Sequence, residues 1–422
     1  MAPLDPLALT PFALALAGGL WALGFVFARR WPLNRALIVC VLLAVGLALR
    51  ALAFALPPYL EIDFYRYFWD AKQLLNGFNP YEHPVRNLLF PLPEALKVLQ
   101  AQEADVVRHI RSDTLAFSTI YSPVSIGLFA GLNALPGPTE LGFALSFLLS
   151  EALALLILWR AGSQRDGRLG LWALALNPLA ILVSYNGLHF DLWLLPLLLG
   201  WVFALRAGRP GLALALLILA IGLRHWAVLL LPLTIMAFTT WPRRMALSGL
   251  SLGLIFLLFL PQLWFAGAPH SGLQVYGQHW EMNDALFLLL KALFGDAGAR
   301  LLALGLPIAI ACLWALLRPK TDPALYGLLL VGLLLLLSPT FFPWYWLWLL
   351  PFLILAHSPL RIAFAALAAA LPFYYLRFWF EERMREAIYD EALIWLIFGP
   401  IFILLLIGTA RHVSYPNHPR PE

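Results

Sequence analysis

Charge is scarce in this sequence. Only 12% of its 422 residues are Asp, Glu, Lys or Arg, against about a quarter in a soluble domain. Hydrophobic residues make up 62% and the mean hydropathy is +0.81. No water-soluble fold hides that much apolar surface, so a cytosolic enzyme, a disordered chain and a coiled coil are excluded. Cysteine is scarcer still. Cys40 and Cys312 each sit inside an apolar run, which excludes a disulfide scaffold or a thiolate metal site and leaves small core residues. Nucleotide-binding signatures are missing, whether Walker loop, kinase set or dinucleotide fingerprint, so ATP-driven work and a cytoplasmic sugar-nucleotide site are not expected. There is no internal repeat of the kind many transporters carry. The net charge of +5 comes from Arg and Lys in short loops between apolar runs, where they set membrane orientation, so no nucleic-acid partner is expected. The N-terminus lacks a basic region and a small-residue cleavage site, so the first apolar run reads as a retained span.

What remains is a series of apolar runs of spanning length, each closed by Arg, Pro or Gly. Leu7 to Phe27 ends at Arg29, Arg30 and Arg35, and Ala36 to Leu56 leads into the longest polar stretch. With that Arg cluster in the cytoplasm, the first large loop, residues 57–138, lies outside. Alternating spans then put Arg160, Arg165, Arg168, Arg206, Arg209, Arg243, Arg244, Arg318, Lys320, Arg361 and Arg411 on the inner side. The alternation requires that Tyr121 to Leu135 not cross. That run starts at Ser122-Pro123, ends at Pro136-Gly137-Pro138, and reads as a short helix dipping in from outside. The expectation is one all-α polytopic domain over residues 1–422, with about thirteen spans and interfacial helices in the first outer loop. Arg50, close to the outer end of its span, is expected to snorkel outward.

Polar residues gather on the expected outer side. In Glu61 to Asp70, helical spacing puts Asp63, Arg66, Tyr67 and Asp70 on one face and Phe64, Phe68 and Ala71 on another. Two readings stand. One is an interfacial helix with a solvated acidic face; the other is a carboxylate pair serving as general base, metal site or partner of Arg66. Asn76-Gly77-Phe78-Asn79-Pro80-Tyr81 is a turn that can end the helix and present Tyr81 and His83 to the same site. Asn177-Pro178 breaks its span before Tyr185-Asn186-Gly187-Leu188-His189-Phe190-Asp191, which places His189 and Asp191 at the edge of hydrocarbon, where ionisable groups are costly. Arg224-His225 sits between two apolar half-runs, and an outward Arg there can grip a phosphate with its planar fork. Two further clusters are the loop with His279, Glu281 and Asp284, and the aromatic stretch Ser338 to Trp346 with Trp344 and Tyr345, an interface belt or the floor of a sugar and lipid site. Glu381, Glu382, Arg383, Arg385 and Glu386 read as an amphipathic segment with a solvated face.

Four of these stretches together resemble the GT-C glycosyltransferases, membrane enzymes that use polyprenol-phosphate sugars. The nearest likeness is to bacterial mannosyltransferases of the DUF2029 type, with a looser one to the first mannosyltransferase of GPI-anchor synthesis. Asp63 to Ala71 with Gly77, Asn79, Pro80 and Tyr81 resembles the acidic first-loop motif; Tyr121-Ser122-Pro123 resembles the Tyr-Pro-Pro that opens the next helix. Asn177-Pro178 through Gly187, His189 and Asp191, and Ser338-Pro339 through Pro343-Trp344-Tyr345, resemble the remaining two motifs. Ser122 stands where a second proline is usual, Phe190 where asparagine is common, and Arg224-His225 where many relatives place lysine.

The resemblance implies a GT-C-like bundle and an inverting transfer of a hexose, mannose foremost, from a polyprenyl phosphate to a hydroxyl of a lipid-linked or cell-surface acceptor. It implies Asp63 as the general base. Asp70, Arg66, Tyr81, His189, Asp191, Arg224, His225, His279, Trp344 and Tyr345 are the expected substrate-binding residues. No cofactor and no metal are expected. The protein is placed in the cell membrane among lipids, with its active site facing the periplasm or exterior. The competing class is a lipid or glycolipid transporter or scramblase, with the outer polar clusters as a vestibule.

Overall fold

The computed structural model describes residues 6–28, 36–59, 61–86, 91–378 and 391–414. The Arg29–Arg35 cluster, the Glu381–Glu386 segment and the Arg411 side chain lie outside the described residues. Every regular element among the described residues is helical; the one β-type contact is an isolated bridge between Met282 and Thr340.

Among the described residues, seven helices are long and apolar enough to cross a membrane: Leu9–Phe27, Leu37–Ala55, Thr139–Ala161, Trp241–Trp264, Ala285–Leu317, Arg361–Phe378 and Ala392–Ala410. An eighth span forms if Gln164–Ala175 and Pro178–Asn186 count as one bent helix. This is a membrane-embedded helical protein. The other expected spans are helices such as Leu194–Arg206, Pro210–Leu223 and Pro323–Leu337, of 13, 14 and 15 residues. At 1.5 Å per residue even the longest reaches only ~22 Å, short of a ~30 Å hydrocarbon core. The 11-residue Pro123–Asn133 helix is too short in the same way, as its proline borders imply.

Long and short helices divide the work. Leu37–Ala55 and Trp241–Trp264 bury little of themselves and present leucine and phenylalanine outward. Pro323–Leu337 and Leu350–Leu355 are buried almost throughout. The centre is thus made of short, broken helices, wrapped by long ones with apolar outer faces. At one end of the bundle Arg206 pairs with Asp322 at 2.8 Å, and Asp322 accepts from the Ala324 and Leu325 amides at the start of its helix.

The break at Asn177-Pro178 bends its helix pair by 53°. The Asn177 side chain accepts from the Ala180 amide, the N-cap bond expected of Asn before a helix-starting Pro. A broken helix inside apolar surroundings leaves carbonyls open. Here Arg50 fills them. Its Nη1 and Nη2 donate to Ala175 O and Leu174 O, and its Nε and Nη2 donate to the Glu151 carboxylate at 2.8 and 2.6 Å. Arg50 therefore does not snorkel outward: it is 5% exposed and turned into the protein. Gly46 permits the approach, since a Cβ there would sit 2.7 Å from Ala175 O.

Candidate functional site

The helix Phe64–Leu75 starts just after Asp63 and stops at Asn76-Gly77, where Gly77 takes φ +78°. A solvated acidic face, the first of the two readings, is not there. Phe64, Arg66, Tyr67, Phe68, Trp69, Asp70 and Ala71 are all buried. Asp70 is fully enclosed and accepts from Arg66 Nε at 2.8 Å; burial raises its pKa, and Arg66 pulls it back. A buried carboxylate one helical turn from an arginine is held as a pair rather than solvated.

The turn after this helix works at a distance. Asn79 Oδ1 accepts from the Tyr81 amide, and the Tyr81 hydroxyl donates to Tyr121 O at 2.7 Å. Tyr81 is buried and away from the cavity wall, so it positions Tyr121 instead of meeting a substrate; His83 lies partly exposed against Phe78. Ser122 then caps the Pro123–Asn133 helix and donates to Gly222 O at 2.6 Å, while Ser125 donates to Leu223 O. These are carbonyls left open where Pro210–Leu223 ends, and a proline at 122 would supply neither the cap nor the donor. The result brings Tyr121 beside Arg224.

Five stretches then enclose one cavity. Its wall includes Asp63, Arg66 and Tyr67; Thr114, Ser118 and Tyr121; Arg224; Tyr276 and Trp280; and Trp344 and Tyr345. Of the expected site residues, Asp63, Arg66, Arg224, Trp344 and Tyr345 meet here. The Asp63 carboxylate is half-buried and caps no amide of its own helix. Burial raises its pKa against the pull of Arg111, and Asp113 adds to the rise. Across the cavity, the Tyr276 and Tyr345 hydroxyls bond at 2.7 Å.

Asp191 and His189 stand directly behind this wall. Leu188, at φ +50°, turns the chain there, a conformation that a bulky residue rarely adopts and that is often found at functional sites. Asp191 is 1% exposed and accepts from Arg224 Nη2 at 2.8 Å and from Trp348 Nε1 at 2.6 Å. Arg224 also lies over the Phe190 ring at 4.1 Å, and its Nε is buried with no hydrogen-bond partner among the described residues. His189 is fully buried, stacked on Trp344, with Nδ1 3.2 Å from the Tyr67 hydroxyl. Burial and the Arg224 charge push its pKa down, so the imidazole is neutral.

Two of the expected residues do not line this cavity. His225 follows Arg224 in sequence but leaves this cavity, since a 3-10 turn begins at His225. It lies in a neighbouring cavity with Nε2 3.0 Å from Gln262 Oε1. His279 is exposed at the end of the Gly272–His279 helix; its neighbours Tyr276 and Trp280, one turn apart, face the cavity instead. Tyr67, Tyr121, Tyr276 and Trp280 are wall residues that the site expectation omitted. Tyr67 was legible as sharing the Asp63 face; nothing local marks the other three as meeting Arg224. Among the described residues no three His, Cys, Asp or Glu side chains gather as a metal site would need.

The cavity thus combines one open carboxylate, two guanidinium groups, Arg66 and Arg224, each with a buried donor unpartnered among the described residues, and an aromatic wall. Such a set can take a proton, hold an anion and stack against a sugar ring. Comparison with known protein families, with curated proteins and with solved structures gave no match to this chain.

Proposed function

We propose that this chain is a GT-C-type membrane glycosyltransferase. It moves a hexose, mannose foremost, from a polyprenyl phosphate to a hydroxyl of a lipid-linked or surface acceptor. The observation that carries the reading is the pairing, in one aromatic-walled cavity, of the uncapped Asp63 carboxylate with the half-free Arg224 guanidinium. In the reaction the acceptor oxygen attacks the anomeric carbon as the bond from that carbon to the phosphate oxygen breaks. Asp63 takes the acceptor proton, and the departing phosphate keeps the bonding electrons. Arg224 balances the charge gathering on that phosphate, an interaction that strengthens toward the transition state. Attack opposite the leaving group inverts the anomeric configuration. Trp280 and Tyr345 offer faces for the sugar ring, while Trp344, stacked between His189 and Phe342, backs the wall.

The proposal includes topology. The Arg206–Asp322 end, which carries basic loops, is the cytoplasmic end, and the cavity opens to the exterior. The short central helices make up the spans that length alone does not supply, in a bilayer thinned around them.

The test is transfer by purified protein from a short-chain polyprenyl phosphate mannose to a mixed pool of envelope lipids, followed by mass spectrometry. Asp63→Asn should lower the rate roughly 10²–10⁴-fold while donor binding persists. Wild-type turnover in Asp63→Asn removes Asp63 as the base. Movement of labelled lipid between leaflets without any glycosylated product would favour a scramblase.

A further inference from the structure

Behind the cavity wall runs a line of three side chains that the transfer chemistry leaves unused. Tyr67 forms part of the wall, and its hydroxyl lies 3.2 Å from His189 Nδ1. His189 is held flat against Trp344, ring centroids 3.7 Å apart at 11°. Its second nitrogen, Nε2, faces Glu61 Oε2 at 4.0 Å. Glu61 is 2% exposed. His189 Nε2, Glu61 Oε1 and the Tyr375 hydroxyl are all buried without a hydrogen-bond partner among the described residues. Unpartnered buried polar atoms are uncommon, and in this line two such side chains face one another.

We propose that Glu61, His189 and Tyr67 form one buried hydrogen-bond relay whose far end, the Tyr67 hydroxyl, donates to an anionic phosphate oxygen of the substrate in the cavity. The identity of that substrate rests on the glycosyl-transfer reading; the relay itself does not. A neutral imidazole has one donor and one acceptor nitrogen, so the group at one end dictates what happens at the other. A protonated Glu61 donates to Nε2. Nδ1–H then donates to the Tyr67 oxygen, and the tyrosine proton is left for the cavity. An ionised Glu61 reverses every bond and turns the Tyr67 oxygen lone pairs toward the phosphate, which repels it. The 4.0 Å separation closes to hydrogen-bond length with a shift of the carboxyl of about 1 Å.

The surroundings fix the direction. Asp63, Arg111, Arg377, Tyr375 and His189 are the titratable groups acting on Glu61. Burial, then the Asp63 charge, raise the Glu61 pKa well above the ordinary carboxylate value, and Arg111 and Arg377 offset this only in part. Two carboxyl groups two residues apart thereby divide their roles. Asp63, open to the cavity, accepts a proton; Glu61, enclosed, keeps one. Bonds in series polarise one another, which makes the terminal Tyr67 O–H a better donor than a lone tyrosine. Glu61 and His189 are positioning residues, and only Tyr67 touches the substrate.

The experiment has a substrate-free arm and an activity arm. In infrared difference spectra, wild-type protein should show a protonated-carboxyl band that Glu61→Gln lacks, and nitrogen NMR should find the His189 proton on Nδ1. A missing band, or a proton on Nε2, overturns the relay whether or not the protein transfers sugar. In the activity arm, Tyr67→Phe should lower transfer roughly 10- to 100-fold, the range for a lost hydrogen bond to a charged group. Glu61→Leu should cost about tenfold and Glu61→Gln, which keeps a donor, no more than about threefold. Wild-type activity should fall as pH rises through Glu61 ionisation, and Glu61→Gln should lose that alkaline fall. Full activity in Tyr67→Phe, or an unaltered alkaline limb in Glu61→Gln, overturns the donor role. Absence of any transfer by wild-type protein defeats the glycosyltransferase reading instead, and the spectra still decide the relay.

Discussion

Arg50, buried, and Arg224, half-buried, are each paired with a buried carboxylate, and they differ in what is left over. Arg50 makes five hydrogen bonds: two to Glu151 and one each to the carbonyls of Gly46, Leu174 and Ala175. Glu151 in turn accepts from the Tyr185 hydroxyl at 2.6 Å. Among the described residues the Arg224 side chain makes a single hydrogen bond, to Asp191, rests on aromatic faces, and keeps a buried Nε without a partner. A guanidinium has five N–H donors. Saturated, it is a staple, closing a broken helix where lipid offers its carbonyls no other donor. Unsaturated and beside a cavity, it keeps donor capacity, which in the proposed reaction an anionic phosphate takes up. Charge and a carboxylate partner alone do not separate the two arginines; the count of satisfied donors does.

That contrast can be broken experimentally. The largest effect should come from Glu151→Leu, which leaves Arg50 buried with its charge uncompensated. A loss of about 3–5 kcal/mol is expected, read as a lower melting temperature in detergent, and Arg50→Leu added to it should recover only part of the loss, because the carbonyls of Gly46, Leu174 and Ala175 then lack their donor. A single variant that melts with wild type would mean Arg50 is no staple. Next, Arg224→Ala should weaken transfer roughly 100-fold in both turnover and donor affinity. Arg224→Lys should recover only part, because a point charge cannot reproduce the planar fork. If Arg224→Ala changes melting but neither kinetic quantity, then both arginines are structural. The smallest effect belongs to His225→Ala. Its ring meets Gln262 and Phe259 outside the Asp63 cavity, so turnover should stay within about threefold, the scale of one neutral hydrogen bond. A loss as deep as that of Arg224→Ala would return His225 to the site.

Much of the architecture is legible locally. Asn177-Pro178 announces its break because proline removes a donor and asparagine caps the helix that starts there. Gly77 and the Pro136-Gly137-Pro138 border end their helices for equally local reasons. The polar stretches that build the site are visible too, since polar residues stand out in a chain so short of them. Partnership is not visible. Arg224 and His225 are adjacent, yet only one enters the Asp63 cavity; His279 looks chemically apt, but Tyr276 and Trp280 occupy the inward face of its turn. Glu151 sits in a run that reads as a plain span, and only the Arg50 guanidinium beside it explains its presence.

The sequence by itself determined that this chain lives in a membrane, because transfer of apolar surface is roughly additive over residues and needs no knowledge of neighbours. It also determined where helices stop, since caps and prolines act within a turn. The tertiary structure decided which polar groups share a cavity, which are spent on each other, and which are left unpaired. Asp191 finds Arg224 across 33 residues, Arg50 finds Glu151 across 101, and Tyr67 finds His189 across 122. In apolar surroundings each such group must find a partner wherever the packing brings one. The make-up of this cavity therefore depends on contacts between distant segments, which local sequence rules do not encode.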